Sequence, residues 1–159
     1  MDGRITNRIL KLKEIFENSG IITRISKNIK MEIWKKAVIN CAINPVGAIT
    51  GMKNGELIKN EYTAKIMALV VSECIEVAEK EGIAFDEDIF KKTEKIAELT
   101  SENENSMLQD IKKRKKTEIE FLNGKVTKIA ESHGLKSPYN RTLYFLIKSM
   151  EKRYRKDLY

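Results

Sequence analysis

Three polar side chains stand four residues apart in an otherwise apolar stretch of the sequence: Lys36, Asn40 and Asn44. On an α-helix each step of four residues turns about 40° beyond a full turn, so the three side chains share one face. An ammonium group held beside apolar neighbours loses solvation, which makes proton donation near neutral pH easier. A buried amide needs hydrogen-bond partners and costs about 1–3 kcal/mol without them. The spacing therefore predicts a site for a polar ligand.

The same pattern has a simpler interpretation, because lysine and asparagine are common residues. Lys36 would then be solvated, and both asparagines would be caps or turn residues near Pro45. Three polar residues on one face favour the ligand site over this alternative. Lys36 lies beside the apolar run 37–43, so we expect it to contact apolar groups and the adjacent Lys35 to be an ordinary solvent-exposed residue.

The rest of the sequence predicts helices to hold this face in position. Apolar residues recur every three to four positions, and no segment alternates with period two for long enough to be a convincing strand. We therefore expect an all-α fold, a single compact multi-helix domain over residues 1–159. Helix ends are predicted at Gly20, Gly82 and Gly134, and Pro45 is predicted to end or kink the second helix. Helix starts are predicted at Asn60, at Asp86, at the capping-box pair Thr117 and Glu120, and at Ser137 with Pro138.

Composition narrows the class of protein further. Hydrophobic residues make up 42% of the 159 residues and charged residues 33%, which predicts one domain that folds in water, in the cytoplasm, without a membrane span. Cys41 and Cys74 are expected to be buried and reduced, with a disulfide or metal pair as the alternative; we predict no metal site.

The net charge of +7 comes largely from the basic run Lys112 to Lys116 and from the C-terminal stretch 148–156. We expect a solvated run rather than a nucleic-acid surface, because no aromatic residues are interleaved with the charges. The glycine spacing of a dinucleotide or phosphate loop is also missing, so this chain alone should not hold a dinucleotide firmly.

Four blocks of residues occur in a fixed order along the chain. The first holds Trp34, Lys36, Asn40, Asn44 and Pro45, followed by Asn54-Gly55-Glu56; the others are Ser106-Met107-Leu108-Gln109-Asp110, then Thr117-Glu118-Ile119-Glu120 with Asn123-Gly124, then Pro138 with Asn140, Thr142 and Leu143. In order and separation these blocks resemble the C-terminal domain of the ketopantoate reductase (2-dehydropantoate 2-reductase) family, over nearly the whole chain.

The resemblance implies a helical domain like the C-terminal domain of 6-phosphogluconate dehydrogenase, with a possible homodimer formed through it. In the family an N-terminal Rossmann domain binds NADPH, and residues 1–159 show only the helical half. The implied activity is reduction of ketopantoate in pantothenate and coenzyme A synthesis, with this chain inactive by itself. The alternatives are a reductase of another 2-keto acid, a stand-alone helical module that binds nucleic acid or another anion, and a purely structural helical partner.

The resemblance also implies roles for individual residues. Lys36 matches the family's proton donor, while Asn40, Asn44 and Asn54 match positions that hydrogen-bond the substrate. Ser106 matches the contact to the substrate carboxylate, and Glu118 matches a glutamate on the cofactor and lysine side. Each of the last three has another interpretation: Asn54 as a turn residue before Gly55, Ser106 as a cap, and Glu118 as an acid favoured by the helix dipole after a threonine cap. Asn105 stands where many relatives have a serine.

Overall fold

The computed structural model describes residues 4–156, with side chains described as far as residue 153. All regular elements within residues 4–156 are helices, which confirms the predicted all-α fold. They are α1 (Asn7–Asn18), α2 (Ile29–Thr50), α3 (Asn54–Lys59), α4 (Glu61–Lys80), α5 (Ile89–Leu99), α6 (Ser106–Lys112), α7 (Asn123–Ser132) and α8 (Pro138–Lys156).

Helix α2 runs through the centre of the domain and contacts α3, α4, α5, α6 and α8. Its Val38, Cys41 and Val46 are almost completely buried, in one cluster with Val70 and other apolar residues of α4. A helix surrounded by other helices is largely apolar around its circumference, as α2 is over most of residues 37–49. The same central helix carries the three spaced polar residues Lys36, Asn40 and Asn44.

Pro45 lies inside α2, so of the two predicted alternatives, ending or kinking the helix, the first is wrong. The helix continues to Thr50 and stops at Gly51, which adopts the left-handed conformation with φ of 74°. Proline supplies no amide hydrogen to the carbonyl four residues earlier, which here belongs to Cys41. The side-chain amide of Asn123 donates to that carbonyl instead, at 3.0 Å, so the helix tolerates the proline.

Several helices begin and end where the sequence predicted. Asn60 caps α4 by accepting hydrogen bonds from the backbone of Tyr62 and Thr63. Pro138 is the first residue of α8. Gly20, Gly82 and Gly134 follow α1, α4 and α7 with φ of 77°, 73° and 68°, a conformation that glycine adopts without steric cost.

Two predicted helix starts are wrong. Asp88, rather than Asp86, caps α5 by accepting from the backbone N–H of Lys91 at 3.1 Å. The pair Thr117 and Glu120 does not begin a helix, because residues 118–122 form turns before α7. Asp86 instead forms an ion pair with Lys35, and Thr117 donates hydrogen bonds to Glu151.

Helix α1 has no buried residue, although its sequence is amphipathic. Its Ile9, Leu12 and Phe16 are 37%, 44% and 44% exposed. Together with Ile25 and Ile29 they line an open apolar cavity of about 430 Å³. The core of the domain is built from the later helices, and α1 keeps an apolar face available to another surface.

Cys41 and Cys74 are both buried, which confirms the burial predicted for them, and both are free thiols in the structure. A hydrogen bond between the two thiols, together with burial, raises the pKa of Cys41. None of the helices formed by the described residues combines the length and apolarity needed to cross a bilayer.

Candidate active site

Lys36, Asn40 and Asn44 lie on one face of α2, as their spacing predicted. Burial increases along this face: Lys36 is exposed, Asn40 is half-buried and Asn44 is 5% exposed. The gradient follows the burial of α2 as a whole, because residues 29–37 are mostly exposed or half-buried, whereas residues 38–48 are all buried except Asn40. The polar face, as we call these three residues, therefore leads from solvent into the core.

The predicted environments of the two adjacent lysines are reversed. Lys35 is only 8% exposed, and its Nζ lies 2.5 Å from Asp86 Oδ1, 2.9 Å from Glu87 Oε1 and 3.5 Å from Glu32 Oε1. Lys36 is exposed, so the expectation that it lies against apolar groups is wrong. Apolar neighbours in the sequence did not decide which lysine is buried, because the two acids nearest to Lys35, Asp86 and Glu87, come from the connection between α4 and α5.

The ion pairs of Lys35 shift the pKa values of all three main participants. Hydrogen bonds to Asp86 and Glu87 raise the pKa of Lys35 well above its ordinary value, against the opposing effect of burial. The same hydrogen bonds lower the pKa values of Asp86 and Glu87. Lys35 is therefore a structural cation that fastens the α4–α5 connection to α2, one residue before the proposed proton donor.

Asn54 is the first residue of α3 rather than part of a turn. Its Nδ2 donates to Thr100 Oγ1 at 2.9 Å, and its backbone N–H donates to the carbonyl of Asn103 at 3.0 Å. Asn54 is 7% exposed, and its buried Oδ1 has no partner among the described residues. One half of the amide thus joins α3 to the end of α5, and the acceptor half remains available.

Asn105, not Ser106, caps α6. Its Oδ1 accepts from the backbone N–H of Leu108 at 2.9 Å, so the alternative of Ser106 as the cap is wrong. Ser106 is the first residue of α6 and is exposed. The Asn105 Nδ2 is buried without a partner in the described structure, and a Cβ on Gly47 would lie 2.2 Å from it. Since Gly47 follows Asn44 by three residues, the Asn105 amide lies close to the buried end of the polar face.

Glu118 is exposed, although both its neighbours are buried: Thr117 is 4% exposed and Ile119 0%. The backbone N–H and the hydroxyl of Thr117 each donate to Glu151 Oε1 at 2.8 Å. Burial acts to raise the pKa of Glu151, but its hydrogen bonds from Lys148 and Thr117 outweigh burial and lower it. Glu118 therefore stands on a firmly anchored turn, and the helix-dipole explanation for it is wrong because α7 begins only at Asn123.

A protein-family model described as the C-terminal part of ketopantoate reductase PanE/ApbA matches residues 28–151. The chain belongs to the ketopantoate reductase family. Residues 28–151 are most of the chain, and the matched segment begins at the residue that caps α2. The resemblance found in the sequence is thereby confirmed.

Individual relatives agree with this membership of the ketopantoate reductase family. The 2-dehydropantoate 2-reductase of Archaeoglobus fulgidus is 38% identical over 151 residues, which are 95% of this chain and 51% of that protein. Among solved structures, a ketopantoate reductase from Ralstonia eutropha matches with a TM-score of 0.89 at 31% identity, over 94% of this chain and 50% of that one. A D-mandelate dehydrogenase, solved with NADH and anilino(oxo)acetate, matches with a TM-score of 0.86 at 30% identity, over 91% and 61%.

The chain spans about half the length of the curated relatives that it matches, at 51%, 47% and 48% of the first three. The family match therefore describes one part of a larger kind of protein.

The basic run is exposed at all five positions, as expected of a solvated run. Lys112 Nζ lies 2.5 Å from Glu104 Oε1, so the start of the run is partly neutralised within the domain. The run begins at the last residue of α6 and includes Arg114, whose φ is 54°.

The chemistry available at the polar face is that of binding and proton transfer. Lys36 offers a cation at the open end, and Asn40 and Asn44 offer amides that can donate to and accept from hydroxyl and carbonyl groups. Such neutral groups suit a small anion whose own charge must not move during a reaction. A carbonyl group placed at the open end would lie beside the ammonium.

Proposed function

We propose that this chain is the substrate-binding and catalytic half of an NADPH-dependent 2-dehydropantoate 2-reductase. The reaction is the reduction of ketopantoate to pantoate, in pantothenate and coenzyme A synthesis. The observation that carries the proposal is the polar face of α2, in a chain whose family is that of ketopantoate reductases. Lys36 stands at its solvent end and Asn44 at its buried end, which suits a small polar substrate lying along the helix.

Lys36 is the proposed proton donor. NADPH supplies the hydride that forms the new C–H bond at the ketone carbon. The electron pair of the carbonyl π bond moves to oxygen, and the Lys36 ammonium transfers a proton to that oxygen to give the hydroxyl group. The exposure of Lys36 is consistent with this role, because a group that meets both substrate and cofactor must stand at the surface where a second domain closes.

The proposed substrate contacts are Asn40, Asn44, Asn54 and Ser106. Asn40 and Asn44 would hydrogen-bond the hydroxyl and polar groups of the substrate, and Asn54 retains an unpartnered Oδ1 for the same purpose. Ser106 would contact the carboxylate, since Asn105 takes over the capping of α6. Glu118, on its anchored turn, would orient the ammonium of Lys36 from the cofactor side and hold it protonated.

NADPH would be held mainly by a separate nucleotide-binding domain. The described residues form helices without the glycine-rich strand-to-helix turn that cradles a dinucleotide, and only Glu118 is assigned to the cofactor side. The exposed apolar residues of α1 lie outside the matched range 28–151 and suit packing against such a domain. By itself the chain is expected to be inactive.

We also propose that the complete enzyme is a homodimer formed through the helical domain. The Staphylococcus aureus ketopantoate reductase, which shares this fold, is described as dimeric. Exposed aromatic side chains on the α7 and α8 side of the domain, Phe121 at 76% and Phe145 at 60%, supply apolar surface for such an interface.

A second candidate is a reductase of another 2-keto acid. The similarity to D-mandelate dehydrogenase at 30% identity favours it, because the oxidised partner of a 2-hydroxy acid is a 2-keto acid. The amides of the polar face would accept either kind of substrate, so the choice depends on the groups next to the keto acid.

The test is a substrate panel on an assembled reductase, made by joining this chain to the nucleotide-binding half of the Archaeoglobus fulgidus relative. NADPH consumption is measured with ketopantoate, phenylglyoxylate and pyruvate, and then with NADH in place of NADPH. The proposal predicts the highest kcat/KM for ketopantoate with NADPH. Preference for phenylglyoxylate or pyruvate would establish the second candidate, and no turnover in a fusion that folds and binds NADPH would reject both. The chain alone serves as the control and should be inactive.

A further inference from the structure

The turn of α2 between Asn40 and Asn44 lacks one of its backbone hydrogen bonds. In a regular helix the residue at position 45 would donate to the carbonyl of Cys41, and Pro45 has no N–H to donate. Cys41 is 0% exposed and Pro45 is buried, so water does not reach this part of the helix. A buried carbonyl without a donor is strongly unfavourable, and the helix needs a replacement.

Asn123, the first residue of α7, provides the replacement. Its Nδ2 donates to the carbonyl of Cys41 at 3.0 Å and to Asn140 Oδ1 at 2.9 Å. Two acceptors on one side fix the orientation of this amide, because only the nitrogen can donate to both. The Oδ1 of Asn123 is buried and has no hydrogen-bond partner in the described structure, so this side chain acts only as a donor.

Asn140 connects Asn123 to α4 through hydrogen bonds to Glu73. Its Nδ2 donates to Glu73 Oε2 at 2.8 Å, and its backbone N–H donates to the same oxygen at 2.9 Å. Asn123 and Asn140 are both 0% exposed, and Glu73 is 7% exposed. A buried chain of hydrogen bonds thus runs from the Glu73 carboxylate on α4 through α8 and α7 to one carbonyl of α2.

The position of that carbonyl links the network to the polar face. Cys41 directly follows Asn40, and the missing bond would close the turn that carries Asn44. We propose that Asn123 is a positioning residue: its side chain replaces the missing amide of Pro45 and sets the direction of Asn44 relative to Asn40. Asn123 does not touch the substrate. Its assignment to substrate positioning rests on the proposed function.

Restoring the missing amide tests this role directly. In Pro45→Ala the new N–H can donate to Cys41, so Asn123 is no longer needed at that carbonyl. In the assembled reductase, Asn123→Ala should raise the KM for the keto acid about tenfold, the loss of one well-placed hydrogen bond, with a smaller effect on kcat. Pro45→Ala alone should keep the parental KM. The double variant should return the KM to within about threefold of the parent, because the Cys41 carbonyl again has a hydrogen-bond donor.

The thermal midpoint separates positioning from general stability. The double variant should keep the lowered midpoint of Asn123→Ala, because the Asn140 Oδ1 has lost the Asn123 donor and keeps only the weaker thiol donor of Cys74 at 3.5 Å, and because a cavity remains. Recovery of the KM without recovery of the midpoint supports the proposal. A parental KM in Asn123→Ala overturns it, as does a KM that Pro45→Ala fails to restore. If Asn123→Ala does not fold, the double variant is compared with Pro45→Ala, and a tenfold difference in KM between them overturns the proposal.

Amide hydrogen exchange in the 159-residue chain gives a readout that does not depend on reductase activity. Asn123→Ala should speed exchange at residue 44 and residues 46–49 at least tenfold, and Pro45→Ala in the same chain should reverse the change. Unaltered exchange overturns the inference even if the enzyme works. Exchange that follows this pattern in a protein that reduces no keto acid keeps the local role of Asn123 and rejects only the proposed function.

Discussion

Alanine at position 35 should destabilise this domain, whereas alanine at position 36 should not. Lys35→Ala removes a buried side chain and the cation that three carboxylates face, whereas Lys36→Ala shortens an exposed side chain. We expect the first substitution to reduce stability and the second to leave it unchanged. The adjacent lysines are therefore matched controls for each other.

The expected size of the Lys35 effect follows from its surroundings. The side chain of Lys35 is 10% exposed, while those of Asp86, Glu87 and Glu32 are 61%, 35% and 46% exposed. Water weakens ion pairs with such partners, so most of the loss comes from the buried methylene groups and the remainder from the ion pairs. We expect Lys35→Ala to lower the free energy of unfolding by about 1–3 kcal/mol, or the thermal midpoint by roughly 3–10 °C. Lys36→Ala should stay within about 0.5 kcal/mol of the parent.

Urea denaturation of the parent and both variants at neutral pH measures the difference. The pKa values of Asp86 and Glu87 are lowered in the folded state, so their contribution is present above their ordinary pKa values and is lost as the pH falls through the lowered ones. The pKa of Lys35 is raised, so its contribution is lost only in strong alkali. The stability gap between the parent and Lys35→Ala should therefore be constant from about pH 5 to pH 10 and shrink below about pH 4. Equal losses in the two variants, or a gap that grows in acid, would refute this reasoning.

Three further predictions concern the rest of the domain. Gly47→Ala would bring a Cβ to 2.2 Å from Asn105 Nδ2, so we expect a lower thermal midpoint and a raised KM in the assembled reductase; a parental midpoint would contradict the close approach. Asn60→Ala removes the cap of α4 and should cost about 1 kcal/mol in urea denaturation, whereas Asn60→Gly should cost only a few tenths. In a gel-shift assay with duplex and single-stranded oligomers, the basic run should give no retention at moderate salt; retention would favour the anion-binding alternative.

The helix ends that the sequence predicted correctly depend on local chemistry. The Asn60 side chain accepts hydrogen bonds from the backbone N–H groups two and three positions later. Gly82, just after α4, adopts the left-handed backbone conformation without steric cost. Such interactions lie within one turn of the chain, so residue type and order are sufficient to predict them. The shared face of Lys36, Asn40 and Asn44 belongs to the same class, because it follows from helical periodicity alone.

The predictions that failed depend on partners distant in the sequence. Lys35 is buried because acids about fifty positions later meet it. Pro45 does not end α2 because Asn123, 82 positions after Cys41, supplies the missing donor. Spacing within a segment carries no information about either contact. A proline inside an apolar helix and an asparagine before a glycine in a later segment were visible signals, but only the fold brings them together.

The central claim is that Lys36 donates the proton at the open end of the polar face, and the turnover of Lys36→Ala in the assembled reductase tests it most directly. We expect kcat to fall by about 10²- to 10⁴-fold, the usual contribution of a positioned general acid, while the thermal midpoint stays at that of the parent. A variant that folds normally and turns over ketopantoate at the parental rate would contradict the claim.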